Sequence, residues 1–417
     1  MRGLPSLRLL RERNFRALWI GQLVSIFGDR FTYLALLALV LERAPDRANP
    51  APELALIPFV SFLPAILLAP WVGALVDTWN TRATLLIADF ARGLIVLAIL
   101  PAVAWGGLTA AFALVFLLYV ANTFFLPARS AILPDLVPPD QLVEANSLAT
   151  LAGVLATIAG SVWGGVFVER WGWRLGFALD GATYFASVFF LALIRPAARP
   201  RPVAVHGSAR DAYIALVRSV REGARIAAST PAVLGSIAAM TLLWTAGGAL
   251  HVGAPTLMGE RGAGVISSVG VALAFAALGM VAGTLFLTAR AGAGSGPARI
   301  EVALLGTGVA TIAFALLPWK MGPSVAAFTA GIFVAVLLVT TEAVIQQRIQ
   351  PEARARVFAL RDFFGRLGVL VSAGCFGFVL REGWLSPKDA VAAAGWLLVA
   401  GGIGGAVIAR RLARRAV

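Results

Sequence analysis

Cysteine, histidine and lysine are nearly missing: 417 residues hold one cysteine, Cys375, two histidines, His206 and His251, and two lysines, Lys320 and Lys388. A lone thiol excludes a disulfide within the chain, and two imidazoles are too few for a histidine-built metal cluster. Neither lysine follows a glycine, so the Gly-Lys-Ser/Thr loop that cradles nucleotide phosphates is absent. No cofactor and no metal are expected, and any pumping must draw on an ion gradient or another outside source. No nucleophile, base and orienting residue group together, so an enzyme is not expected either. Charge is scarce, at 13% Asp, Glu, Lys and Arg.

Apolar residues fill the space. They make up 59% of the chain, with mean hydropathy +0.85, more than a soluble domain can hide, which indicates a polytopic membrane protein. The net charge of +14 fits loops facing anionic lipid, and nucleic acid is not expected as a partner.

Apolar runs fall at roughly 16–41, 54–76, 83–104, 108–127, 147–168 and 175–194, then at roughly 232–257, 266–289, 300–318, 324–341, 363–380 and 390–409. At about 1.5 Å per residue each can cross a hydrocarbon layer about 30 Å thick, which predicts about twelve membrane helices. Before them, Arg2, Arg8, Arg11 and Arg13 lack the apolar core and small-residue cleavage site of a signal peptide, so the start reads as a cytoplasmic amphipathic lead-in. Placing both termini in the cytosol gathers these arginines, the arginine-rich middle, Arg348 to Arg356 and the C-terminal arginines on one face, as inner-leaflet charge favours. The expectation is an integral protein of the plasma membrane, the inner one in a bacterium, with cytoplasmic ends.

Arg195-Pro196 and Arg199-Pro-Arg201-Pro202, followed by a helix-like 209–228, divide an N-terminal half, 1–194, from a C-terminal half, 231–417, with 195–230 as a cytoplasmic linker. The turn Pro138-Pro139-Asp140 before the fifth run is echoed by Gln350-Pro351-Glu352 before the eleventh. Between the second and third runs stands Gly73-Ala-Leu-Val-Asp77-Thr-Trp79-Asn80-Thr-Arg82. So short a break forces an antiparallel hairpin. Gly73 lets a neighbouring backbone come close, Asp77 can accept from a facing helix N-terminus, and Arg82 can reach lipid phosphates or acidic side chains, which together suit a conformational latch.

The order Gly-x-x-x-Asp-x-x-x-x-Arg resembles the loop motif of the major facilitator superfamily, and Val76-Asp77-x-Trp79-Asn80 is most similar to its macrolide and siderophore exporter branch. Arg13-Asn14-Phe15-Arg16 through Gly21-Gln22 to Gly28-Asp29 resembles that branch's first helix. Pro127-Ala-Arg129-Ser-Ala-Ile-Leu-Pro134-Asp135-Leu-Val-Pro138, with Glu144-Ala-Asn146-Ser, resembles its link between helices four and five. Thr78 and Thr81 stand where basic residues are usual in the family. The resemblance implies an all-α membrane protein with twelve transmembrane helices in two six-helix pseudo-symmetric halves. It implies a secondary transporter that exports an amphipathic or hydrophobic small molecule in exchange for protons by alternating access, working as a monomer among membrane lipids. The Gly-Asp of helix one, the Trp244 region and the link after helix four also resemble lysophospholipid flippases of the same superfamily, which would set Arg92 or inner arginines against a phosphate head. A membrane receptor or scaffold that transports nothing is the reading from another class.

Asp29 lies about thirteen residues into the first run, roughly 20 Å deep, where a carboxylate is costly and usually faces a cavity or a partner. It is a candidate for proton coupling, against a structural pairing with Arg30 or a wet outer mouth. Asp89 and Arg92, three apart on one face of helix three, are either a buried lock or a contact for an anionic head group. Tyr119, Asn122, Asp180, Tyr184, Trp244 and His251 are candidates for the cavity lining, with packing as the alternative. Gly160-Ser161-Val-Trp-Gly164-Gly165 resembles the antiporter motif Gly-Pro-x-x-Gly-Gly with serine in the proline position, and its spacing also suits close helix packing. Arg361, Asp362 and Arg366 are read as an inner gate pairing with Glu342 or lipid, or as a solvated helix end.

Overall fold

The computed structural model describes residues 7–195, 209–262, 264–289, 298–317 and 322–415. These are helical almost throughout. A 3-10 turn, Leu7–Arg11, leads into α1 (Arg13–Arg43), followed by α2 (Ala51–Thr78), α3 (Thr81–Leu136), a 3-10 turn at Pro139–Gln141, and α4 (Leu142–Ala192). Then come α5 (Ala209–Ala228), α6 (Pro231–Glu260), α7 (Val265–Ala289), α8 (Ala298–Leu316), α9 (Gly322–Arg348), α10 (Pro351–Arg381) and α11 (Pro387–Arg415).

Ten of these stretches are long and apolar enough to span a membrane, and two of them do so twice. Helix α3 breaks at Gly107, with φ 58°, and α4 at Gly172, with φ 84°, a left-handed backbone that glycine adopts without a Cβ penalty. Arg92 hydrogen-bonds Asn122 at 3.2 Å, although an unbroken helix would hold residues thirty apart at about 45 Å. The chain therefore folds back at Gly107. At Gly172 the reversal brings Gly176 against Val168, whose methyl would lie 2.8 Å from a Cβ there. Among the described residues this gives twelve apolar segments of membrane-crossing length, six in each half of the sequence.

The fourth run does not stop at a proline-marked link. Helix α3 continues through Pro127 and Pro134 because Phe125, Ala128, Ile132 and Leu133 are buried in a core shared with Phe15, Leu85 and Leu148, and packing overrides the local breaker. Helix α10 likewise begins at Pro351 rather than near 363, its polar first turns held by buried Val357 and Leu360. Both proline turns open a helix, as their echo in the sequence implied.

The chain forms two compact units: 1–44 with 60–213, and 45–59 with 214–417, so that α2 is shared between them. In the first unit α1 packs chiefly on α4. In the second, glycine brings backbones together in pairs. A Cβ on Gly308 of α8 would stand 2.6 Å from the Gly395 carbonyl of α11, and one on Gly395 would stand 2.7 Å from that of Gly308. Gly279 of α7 and Gly331 of α9 lie likewise against each other's helix backbones. In lipid such contact replaces the hydrophobic drive as the source of helix association. Linker residues 196–208 lie outside the described residues, while α5 joins the second unit through the Arg356–Glu222 ion pair, 2.8 Å.

Candidate functional site

Three carboxylates and one guanidinium meet inside the first unit. Asp29 sits near the middle of α1, half-buried, and accepts the hydroxyl of buried Tyr184 at 2.6 Å. Asp89 and Arg92, one turn apart in the first arm of α3, form a fully buried ion pair. Ser187 donates to the second Asp89 oxygen at 2.6 Å. The Arg92 guanidinium lies 4.0 Å above the Phe125 ring and 4.7 Å from the Tyr184 ring. A continuous polar chain therefore runs from Asp29 through Tyr184 and Arg92 to Asp89 and Ser187. Asp180 is fully enclosed and accepts from Thr32 and Thr183. Gly28 makes that possible, for a Cβ there would collide with the Thr183 hydroxyl and an Asp180 oxygen.

Burying charge in low dielectric is tolerable only when the charge is compensated; Asp89 and Arg92 neutralise each other, and Asp180 accepts two threonine hydroxyls. Asp29 alone of the three carboxylates is not fully enclosed. It combines partial exposure with a hydrogen bond from a buried phenol. Asn122 and Tyr119 are partly buried on the second arm of α3. Arg30 does not neutralise Asp29; its stem packs on Gly160, where a Cβ would come within 2.9 Å of it and 2.7 Å of the Phe27 carbonyl.

The helix-five motif is thus a packing face toward α1. Gly164 meets Phe31 and Leu34, Gly165 is buried, and the buried Ser161 hydroxyl has no hydrogen-bond partner. In the latch, Gly73 and Asp77 lie on the last turns of α2, and the Asp77 side chain is not among those described. The Arg82 guanidinium donates to the Ala192 carbonyl at 2.7 Å, which sets a cation on the C-terminal end of α4. Asn80 caps α3 through the Ala83 amide at 3.0 Å, and Trp79 stacks on Phe124 at 5.6 Å.

In the second unit Trp244 lies over Gly365 of α10, where a Cβ would come 2.7 Å from its ring, and His251 is partly buried further along α6. Arg361 pairs with its neighbour Asp362 at 2.9 Å and lies over Phe358, while exposed Glu342 accepts from Gln346 at 3.5 Å. The expected reach from Arg361 to Glu342 gives way to this adjacent acid. Arg366 is partly buried one turn after Asp362.

Thr32, Thr183 and Ser187 complete the cluster and went unnoticed in the sequence. The Asp180–Thr183 spacing of three was the one available signal, since the other partners come from different helices.

Twelve apolar crossings with ionisable groups enclosed in one unit define a polytopic transport protein. The chain belongs to the Major Facilitator Superfamily, whose family model matches residues 18–373. It is 27% identical over 411 residues to the lysophospholipid transporter LplT of Yersinia enterocolitica, covering 90% of this chain and 89% of that one. To the protein of the same name from Yersinia pestis it is 30% identical over 244 residues, 57% of this chain and 55% of that one. Solved structures share the fold: a peptide transporter POT in complex with sulfate, TM-score 0.72 at 14% identity, and a bacterial homologue of the human lysosomal transporter Spinster, 0.68 at 17%, each over 95% of both chains. The macrolide and siderophore wording of the loop has no counterpart in these relatives' names, which match the lysophospholipid alternative instead.

Proposed function

We propose that this chain is a secondary transporter of a single-chain, phosphate-bearing amphiphile, a lysophospholipid or a close analogue, carried across a bacterial inner membrane by alternating access. The supporting observation is the relationship of most of the chain to a protein named for that activity, at 27% identity across 90% of its length. The buried Arg92, aimed at Tyr184 and Asn122 beside half-buried Asp29, is the element we assign to substrate and ion handling. Purified protein in liposomes, supplied with a labelled lysophospholipid in one leaflet, tests it. Accelerated appearance of the label in the other leaflet supports the reading, and rates equal to empty liposomes sink it.

A second reading, proton-coupled export of other amphipathic compounds, is favoured by the position of Asp29 in mid-helix with a phenol as its partner. An imposed pH gradient in the same vesicles, with dyes and macrolides as cargo, separates the two.

A further inference from the structure

We infer that the first unit carries a second, oxyanion-binding site built by Gln22 and Arg129, apart from the Asp29 cluster. Gln22 on α1 is 6% exposed. Its side-chain oxygen accepts from Arg129 Nη1 at 3.2 Å. Arginine can only donate, so this bond fixes the amide's orientation and leaves the Gln22 NH2 group as the free end. That nitrogen is buried with no hydrogen-bond partner, a state that costs about 1–3 kcal/mol unless something accepts from it.

Both residues line one small cavity of about 60 Å³, together with Trp19, Ser130 and Asn146. The donors of the other polar groups are already engaged, which leaves the neutral Asn146 side-chain oxygen as an acceptor in the lining. Trp19 donates to the Leu148 carbonyl at 2.9 Å, Ser130 to that of Leu126 at 3.3 Å, and Asn146 to that of Leu142 at 2.8 Å. Arg129 has no ion pair among the described residues, and the lining contains no acid. The cavity therefore offers a partly buried cation and a buried amide donor, with no anion to satisfy either. An acceptor carrying negative charge answers both needs, and charge-assisted bonds of this kind are the strong ones. The volume has room for a few water molecules. It admits the oxygens of one phosphate or carboxylate head and excludes the bulk of an acyl chain.

Depth agrees with a head group. Helix α1 is 31 residues long, about 46 Å, so centred on a hydrocarbon layer of about 30 Å it sets Gln22 about 5 Å inside the edge nearest the N-terminus. Asp29 is a further seven residues along, about 10 Å deeper. The ligand is a phosphate oxyanion, delivered either by a lipid head group or by free phosphate.

Full-length protein in neutral-lipid nanodiscs, titrated separately with inorganic phosphate, a short-chain lysophosphatidic acid and a monoacylglycerol, tests the site. Expected is saturable binding of the phosphate-bearing amphiphile, weakened at least tenfold by Arg129→Gln and by Gln22→Glu, with monoacylglycerol binding unchanged. The Gln22→Glu variant is nearly isosteric and supplies Arg129 with an internal carboxylate, so it keeps the fold while filling the site's charge. Competition by inorganic phosphate identifies a free-anion site, and its failure to compete identifies a head-group site. Affinity for lysophosphatidic acid and phosphate unaltered in Gln22→Glu, with a thermal unfolding profile like the parent's, overturns the inference even if the parent transports lysophospholipid. Loss of binding in the variants upholds it even if the parent transports none.

Discussion

The Tyr184 hydroxyl donates to Asp29 across 2.6 Å, joining the last arm of α4 to the centre of α1, and the same ring lies 4.7 Å from the Arg92 guanidinium. One phenol thereby touches the accessible acid and the buried base. Asp29→Asn keeps the hydrogen bond's geometry but removes the charge and the exchangeable proton. Gradient-driven transport in proteoliposomes should fall at least tenfold in this variant, whereas Tyr184→Phe should retain part of the activity. Full gradient-driven transport in Asp29→Asn would remove this carboxylate from coupling.

Breaking the Asp89–Arg92 pair from one side leaves a buried charge uncompensated. Asp89→Ala should cost about 3–5 kcal/mol, and the double variant Asp89→Ala/Arg92→Met should recover much of it. Thermal unfolding in detergent reads both, and additive losses would show that the two groups do not act as a pair.

Gly28→Ala places a methyl group where the Thr183 hydroxyl and an Asp180 oxygen now stand. Overpacking of this sort costs about 1–3 kcal/mol, so the unfolding midpoint should drop, with Thr183→Ala in the same chain restoring part of it. An unchanged midpoint for Gly28→Ala would mean the helices separate freely there.

Ser161 offers the opposite case. Its hydroxyl is buried and makes no hydrogen bond, so Ser161→Ala should be neutral or stabilising by about 1 kcal/mol. Destabilisation beyond that, seen in the same unfolding assay, would reveal a partner for the hydroxyl.

Gly308 and Gly395 predict a contact of backbones in the second unit. Gly395→Val should force α8 and α11 apart and lower the unfolding midpoint, while Gly404→Ala, with nothing within 4 Å of its Cβ position, should leave it in place.

Much of this is legible in the sequence. Run lengths set the crossings, and the gaps near 104–108 and 168–175 fell on Gly107 and Gly172. The depth of Asp29 and the three-residue spacing of Asp89 and Arg92 follow from helix geometry alone. Partners from other helices left no trace, because local periodicity carries no information about them. Thr32 meets Asp180 across 148 positions, and Arg129 meets Gln22 across 107. Arg82 shows the same limit: a basic side chain after a turn advertises a need for negative potential, yet a helix's terminal carbonyl meets it as well as an acid does.

The reversals at Gly107 and Gly172 each hang on a single left-handed residue. A joint that short leaves almost no length of chain, so its two arms cannot slide far past each other lengthwise. Each pair is then tethered like the legs of a staple, and probes placed on the two legs beside the bend should keep a constant separation through the transport cycle.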